Sequence, residues 1–385
     1  MGETKSGGAL AGLRVVDLTR VLGGPYCTQI LGDHGAEILK IEPPGGDETR
    51  AWGPPFKDGF SAYFLGVNRN KRSIVLDFAQ EAGREALLHL LADSDVLVEN
   101  FKPGTLERWG LGFKEVLSQR FPRLVHCCVS GFGADGPLGG LPGYDAAVQA
   151  ACGLMSVNGE PDGGPLRIGV PIVDLVTGLN AALGIMLALQ ERTRSGKGQS
   201  VDVSLYDCGI SVLHPQIPNH LLSGKVPGRT GNAHPNISPY DSYATKTAPL
   251  FLAVGNDGQF AKLTSLLRCP HLAKDERFAS NSGRVLNRDA LKRELEERLT
   301  QHDCEELAER LVRNGVPCGA VRSVEEMIRH PHTRHRGMIV EKDGYSGTGA
   351  PIKLSRTPAT YRRLPPALGE HNTEFDLAPQ TRSTG

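Results

Sequence analysis

Residues 13–42 read LRVVDLTRVLGGPYCTQILGDHGAEILKIE. LRVVDLT (13–19) predicts a strand, GPYCTQILGDHG (24–35) a helix closing on glycine, and AEILKIE (36–42) a second strand. Parallel strands need such a crossover between them, so this stretch predicts a βαβ unit. The pattern continues outward. RSIVLDF (72–78), DVLVENF (95–101) and RLVHCCVS (123–130) predict further buried strands. EAGREALLHLLADS (81–94) predicts a helix with Leu87, Leu88 and Leu91 on one face. Strands alternating with helices predict a mainly parallel α/β sheet.

A Gly/Pro-rich segment follows, GFGADGPLGGLPG (131–143), then a helical stretch, YDAAVQAACGLM (144–155). LVTGLNAALGIMLALQERTRSG (175–196) predicts a long apolar helix stopped by Gly196, and SGKGQSVDVSLYD (195–207) a turn and strand. The Pro-, Gly- and His-rich run at 214–240 marks entry to a second domain. That domain predicts a strand at LFLAVG (250–255) and two helices, one with Leu291, Leu295 and Leu299, the other with Leu307 and Leu311. The expected division is 1–205 plus 331–385 for the large domain, 206–230 for a linker and 231–330 for the small domain. GMIVEKDG (337–344) and PIKLS (351–355) predict strand and turn, and the aperiodic tail at 370–385 is expected to be partly disordered.

The chain of 385 residues balances 43 basic against 43 acidic residues, so charge gives no general argument for nucleic acid or a membrane surface. MGETKSGGAL (1–10) lacks the apolar core of a secretory signal. The apolar stretch around Leu183–Leu189, bounded by Asn180 and Gln190, is expected to be too short and polar to span a bilayer, so the expected location is cytoplasmic, with an organelle lumen as the alternative. Eight cysteines without a CxxC pair are expected to be buried, reduced thiols.

Several motif-like stretches dissolve on inspection. GFGADG (131–136) matches a dinucleotide fingerprint by letter, but Pro137 and more glycines follow it where a helix is required. His330, His332 and His335 are interleaved with arginines that would repel a metal ion, so no metal site is expected. There is no Walker loop and no GxSxG elbow. GVPIVDLVTG (169–178) is different, because it sets Asp174 among Ile172, Val173, Leu175 and Val176. Asp is a preferred helix N-cap and a long helix begins there, so a cap is expected. A helix terminus would also keep the carboxylate ionised, and an ionised carboxylate is a nucleophile that needs no general base. Apolar neighbours would exclude water from a covalent intermediate.

Ordered stretches across nearly the whole chain resemble the class III CoA-transferases, the carnitine dehydratase-like group that includes formyl-CoA transferase. They include VVDLTRVLGGPYCTQILGDHGAEILKIEPPGGDETR, NKRSIVLD, ADSDVLVENFKPG, SGFGADGP, PGYDAAVQAACGLM, PIVDLVTG, RTRSGKGQSVDVSLYD and GNDGQFAKL. The resemblance implies a Rossmann-like large domain, a smaller α+β domain and an interlocked-ring homodimer. It implies that Asp174 attacks an acyl-CoA thioester, forming a mixed anhydride and then an aspartyl-CoA thioester. Coenzyme A then enters as substrate, with no permanently bound cofactor. By position, Val21 and Leu205 would border the pantetheine and Leu76 the adenine. Asn100, Phe101 and Lys102 would hold the nucleotide end, with Arg108 on a phosphate, Arg72 a further phosphate candidate, and Tyr144 against bound CoA.

The chain departs from formyl-CoA transferase at Leu22, Pro43 and Ala79, and HPNISPY (234–240) stands where that family member has a tetraglycine loop. These departures argue against formyl/oxalate specificity. A dicarboxylate such as succinate is the expected donor product, and His234, Asn236 and Ser238 could bind its distal carboxylate. Two other readings stand beside a transferase. An α-methylacyl-CoA racemase would need a histidine where this chain has Tyr144, and a phenol, titrating near 10, is a poor base at neutral pH. A catalytically silent CoA-binding protein would have no use for Asp174.

Overall fold

In the computed structural model, which describes residues 7–375, the opening strand–helix–strand is β1 (Arg14–Asp17), α1 (Gly23–Asp33) and β2 (Glu37–Glu42). α2 (Ala62–Val67), β3 (Lys71–Val75), α3 (Glu81–Ala92), β4 (Val96–Glu99) and β5 (Val125–Ser130) follow. α4 (Asp145–Ala151), the long α5 (Ile172–Ser195), β6 (Ser200–Ser204), α6 (Leu205–Ser211) and α7 (Gln216–Ser223) come next. The six strands are all parallel and run β3-β2-β1-β4-β5-β6. That is the order of dinucleotide-binding folds, with its reversal point between β1 and β4.

Both sheet faces are covered, which is why the strands are apolar at successive positions rather than at alternate ones. Val15, Ile38, Val98 and Cys127 face one core with Leu31, Ala181 and Ile185 of the helices. Val16, Leu39, Ile74 and Leu97 face the other, under Leu87 and Leu91 of α3. The open edge at β3 is closed by the C-terminal chain: the His371 N–H donates to the Ser73 carbonyl (2.9 Å), and Asn372 accepts from the Val75 N–H (2.9 Å). The tail is thus ordered through Phe375, and its remainder lies outside the described residues.

The contacts divide the chain into two compact units. The first comprises residues up to Leu154, Arg167–Pro218 and those from His335 onward; the second comprises Met155–Leu166 and Asn219–Arg334. The expected boundaries put 155–166 with the large domain, and its contacts group it with the second unit instead. The expected linker at 206–230 is largely helical, holding most of α6 and all of α7. In the second unit, β7 (Tyr240–Tyr243), β8 (Leu250–Ala253) and β9 (Cys318–Ala320) form an antiparallel sheet. Leu291, Leu295, Leu299, Leu307 and Leu311 pack into its core, as their spacing requires. There HPNISPY is held by side chains: Arg284 donates to the Ser238 carbonyl (2.7 Å) and Asn281 to that of Asn236 (2.9 Å). In the first unit, residues 339–348 form a hairpin, β10 (Ile339–Lys342) and β11 (Tyr345–Thr348), while PIKLS is not a strand.

By length and composition α5 could cross a bilayer, contrary to the expectation above; in the fold half of its most apolar stretch is buried. It lies against α1 at a crossing made of glycines. A Cβ on Gly178 would stand 2.6 Å from the Gly23 carbonyl oxygen and 3.4 Å from the Cys27 nitrogen. Gly178→Ala must therefore push the two helices apart, at a cost of about 1–3 kcal/mol. We expect its melting temperature to fall by several degrees. Gly66→Ala, whose Cβ meets nothing within 4 Å, should be neutral or stabilising in the same measurement.

Candidate active site

Asp174 is the third residue of α5, and the cap position belongs to Pro171, which makes no side-chain cap. The expectation that Asp174 caps its own helix is therefore corrected. The cap comes from Asp145, at the start of α4. Its Oδ2 accepts the N–H groups of Val173 (2.8 Å) and Asp174 (3.1 Å), satisfying two amides that the first helical turn leaves free. Gln149 donates to Asp145 Oδ1 (2.6 Å) and accepts the Ile168 N–H (2.8 Å), which fixes the cap from behind.

Asp145 and Asp174 are both buried, at 7% and 9% exposure. Their partners differ completely. Asp145 accepts three hydrogen bonds, whereas among the described residues no donor reaches the Asp174 carboxylate. Burial first, and then the charge of Asp145, push the Asp174 carboxyl up from 3.8 to about 7. The expected stabilisation of the anion by the helix end is overturned because Asp145 occupies the amides that would supply it. Gly23 opens α1 directly alongside: a Cβ there would lie 3.3 Å from the Asp174 carbonyl oxygen and 3.6 Å from Oδ1.

Asp174 faces an open cleft at the C-terminal ends of β1 and β4, where the strand order reverses and α/β sheets bind ligands. Val21, Asn100, Phe101, Lys102, Tyr144 and Leu205 line the same cleft. An adjoining hollow shares Arg20, Glu48, Phe101 and Lys102 with it and is walled by Leu76, Phe78 and Trp109. Trp109 lies 5.3 Å from both the Phe78 and the Phe101 ring centroids. Arg108 lines neither space; its guanidinium donates to Thr105 (2.8 Å), a residue of the second hollow. Arg72 is not brought to the cleft. It lies between Glu37 (3.6 Å) and Glu374 (3.3 Å), over the Phe375 ring. GFGADG follows β5 rather than β1, and no helix starts at it.

Sequence reasoning missed four contributors. Asp145 carried a signal, an acid directly after Tyr144 at a helix start, but its target lies 29 residues away. Tyr63 on α2 was not singled out. Burial, then Asp174, Asp145 and Asp47, push its hydroxyl up to about 12, which places it within reach of their charges. Phe78 and Trp109 complete the aromatic hollow from two separate loops.

A largely buried carboxylate that no donor among the described residues reaches, at the floor of a two-part cleft, is suited to attack on an activated acyl group. The family model of CoA-transferase family III matches residues 10–372. The chain belongs to that family. A succinate–glutarate CoA-transferase of Agrobacterium fabrum is 42% identical over 377 residues, covering 95% of this chain and 94% of that protein. An acetyl-CoA:oxalate CoA-transferase of Acetobacter aceti is 41% identical over 353 residues, covering 91% and 90%. The crystal structure of a CAIB/BAIF family protein from Brucella suis, 44% identical, superposes with a TM-score of 0.86 over 96% of this chain and 99% of that one.

The raised carboxyl makes a stability prediction whose sign is fixed. Asp174 is neutral in both folded and unfolded chains below about 4, and ionised in both above about 7. Between those values the folded state holds a proton that the unfolded state has released, so this group's contribution to stability is lost as pH rises. The loss amounts to roughly 4 kcal/mol, from three units at about 1.4 kcal/mol each. Asp174→Asn should raise the melting temperature at pH 8 and leave it nearly unchanged at pH 4, as read by thermal denaturation.

Proposed function

We propose that this CoA-transferase moves CoA from a dicarboxylyl-CoA, such as succinyl-CoA, to a free carboxylic acid, with Asp174 as the acyl acceptor. The observation that carries this reading is the buried Asp174 carboxylate, reached by no donor among the described residues and facing the cleft. An Asp174 oxygen attacks the thioester carbonyl and expels CoA thiolate, leaving a mixed anhydride. The thiolate attacks the aspartyl carbonyl, the donor acid departs with the bridging oxygen, and aspartyl-CoA remains. An incoming acid attacks that thioester, and the same two steps run in reverse. Every step exchanges one activated acyl group for another, so no external energy source is needed. In this reading the Gly23 and Gly24 amides, at the start of α1 beside Asp174, are the donors for developing oxyanions.

In this reading the pantetheine runs past Val21 and Leu205, and the adenine lies in the aromatic hollow at Leu76. Asn100, Phe101 and Lys102 lie where the two spaces meet. Tyr144 borders the reacting end and Arg108 acts through Thr105, while Arg72 takes no part. The Agrobacterium relative supports a dicarboxylyl donor, since succinate and glutarate are both dicarboxylates, whereas the Acetobacter relative is named for acetyl-CoA and oxalate. The functional form is an interlocked homodimer. Leu179, Leu183 and Leu187, at helical spacing on α5, are 45%, 57% and 63% exposed, an apolar stripe that a second copy would cover.

Incubation with succinyl-CoA and hydroxylamine should modify Asp174, and Asp174→Asn should lose acyl exchange by at least a thousandfold. The rate of modification should rise with pH through about 7 and level off above it, because only the anion attacks. A panel of free acids against succinyl-CoA and acetyl-CoA should show the dicarboxylyl donor preferred. Uptake of α-deuterium from heavy water without acyl exchange would instead identify a racemase. By sedimentation, the chain should be a dimer at micromolar concentration, and Leu183→Glu should shift it toward monomer.

A further inference from the structure

Val21 has φ +72°, the left-handed region. Among the described residues it is the only β-branched residue there; the others at positive φ are Asp58, Asn70, Arg268, Asp343 and glycines. A β-branched residue in this conformation is a genuine outlier, and such strain persists only where surrounding structure over-determines it. The surroundings do so at each successive peptide. Thr19 donates its N–H to Asp17 (2.9 Å), and its carbonyl accepts from Lys40 Nζ (2.7 Å). The Arg20 peptide is gripped on both sides by one amide: its N–H donates to Asn100 Oδ1 (3.0 Å), and Asn100 Nδ2 donates to its carbonyl (2.7 Å). The Val21 N–H points at Asp47 Oδ1 (3.5 Å).

Asp47 and Lys40 are themselves paired at 3.0 Å, with side chains 1% and 0% exposed. Asp47 is oriented further by the Thr49 N–H (3.0 Å) and hydroxyl (2.8 Å), and its own N–H donates to Glu42 (2.9 Å). Glu42 in turn takes a two-pronged grip from Arg50 (2.8 and 2.7 Å). A buried ion pair is a poor device for stability alone. This one ends on the turn that carries Val21 into the cleft and leads straight to Gly23, against Asp174.

We propose that Lys40, Asp47 and Asn100 are positioning residues that clamp the strained 19–21 turn, and through it the wall of the cleft beside Asp174. The inference rests on the proposed role of Asp174. It explains why glycine, which would relax the turn, is absent from position 21. A glycine there would lie easily in this conformation and in others, so the same backbone bonds would confine the wall less narrowly.

The test is a double-mutant cycle on the full-length enzyme. The readout is the rate at which succinyl-CoA with hydroxylamine modifies residue 174, with melting temperature as the check on folding. Val21→Gly should react more slowly than wild type without melting lower. Asp47→Asn should slow modification at least tenfold in the native background and less than twofold in the Val21→Gly background, since a relaxed turn has no strain to restrain. Equal slowing in both backgrounds would reduce the ion pair to a general structural element and overturn the proposal. Should Asp47→Asn fail to fold, Asn100→Ala, which frees the Arg20 peptide, carries the same comparison with the same two outcomes, read at saturating succinyl-CoA so that a loss of substrate binding at the cleft does not enter the rate. A wild-type enzyme that exchanges acyl groups without modification at residue 174 would refute the role of Asp174, separately from the clamp.

Discussion

Two carboxylates meet at the first turn of α5, and the cap given by one is what leaves the other bare. Asp145 takes the amides of Val173 and Asp174, so the helix end is satisfied without help from Asp174. Burial and the neighbouring charge then act on Asp174 unopposed. A carboxylate held by amide donors would be stable, ionised and a weak nucleophile. The bare one is less solvated as an anion and correspondingly more reactive. The fold carries the cost, because ionising Asp174 weakens the native state wherever the enzyme works near neutrality. Stability and reactivity are here opposite consequences of one arrangement.

The sheet topology explains why the bare acid meets a cleft. The strand order reverses between β1 and β4, so the loops after those strands diverge and leave a crevice at their C-terminal ends. Thr19–Val21 and Asn100–Pro103 come from those two loops and face each other, tied by the Asn100 grip on the Arg20 peptide. The close glycine crossing of α1 and α5 then sets the Asp174 turn at the floor. The layout that holds dinucleotides elsewhere is used here without a glycine fingerprint in the first turn, whose residues are TRVLGGP.

The alternating elements were legible because strands covered on both faces must be apolar throughout, a local signature. The reversal in strand order was not, because neighbours in a sheet are chosen by tertiary packing. Asp174 stood out as a charge among apolar residues, yet its electrostatic state was read with the wrong sign. Its helix end is capped from 29 residues upstream, and no local pattern announces that. Val21 was placed by family resemblance, while its backbone strain depends on Asp47 and Asn100, which reach it from other loops. Arg72 looked like a phosphate ligand by charge alone, and Glu37 and Glu374 claim it. Helices α6 and α7 were hidden in a stretch whose prolines and glycines suggested a linker.

The central claim is that the acyl group passes through an oxygen of Asp174. Oxygen bookkeeping tests it directly. Each turnover delivers one oxygen of Asp174 to the departing donor acid and replaces it with one from the acceptor acid. With acceptor carboxylate labelled with oxygen-18, the peptide containing residue 174 should gain 2 Da by mass spectrometry, and in later turnovers the label should appear in the donor acid. Acyl exchange that leaves this peptide unlabelled would mean that the two acids react without the aspartate between them.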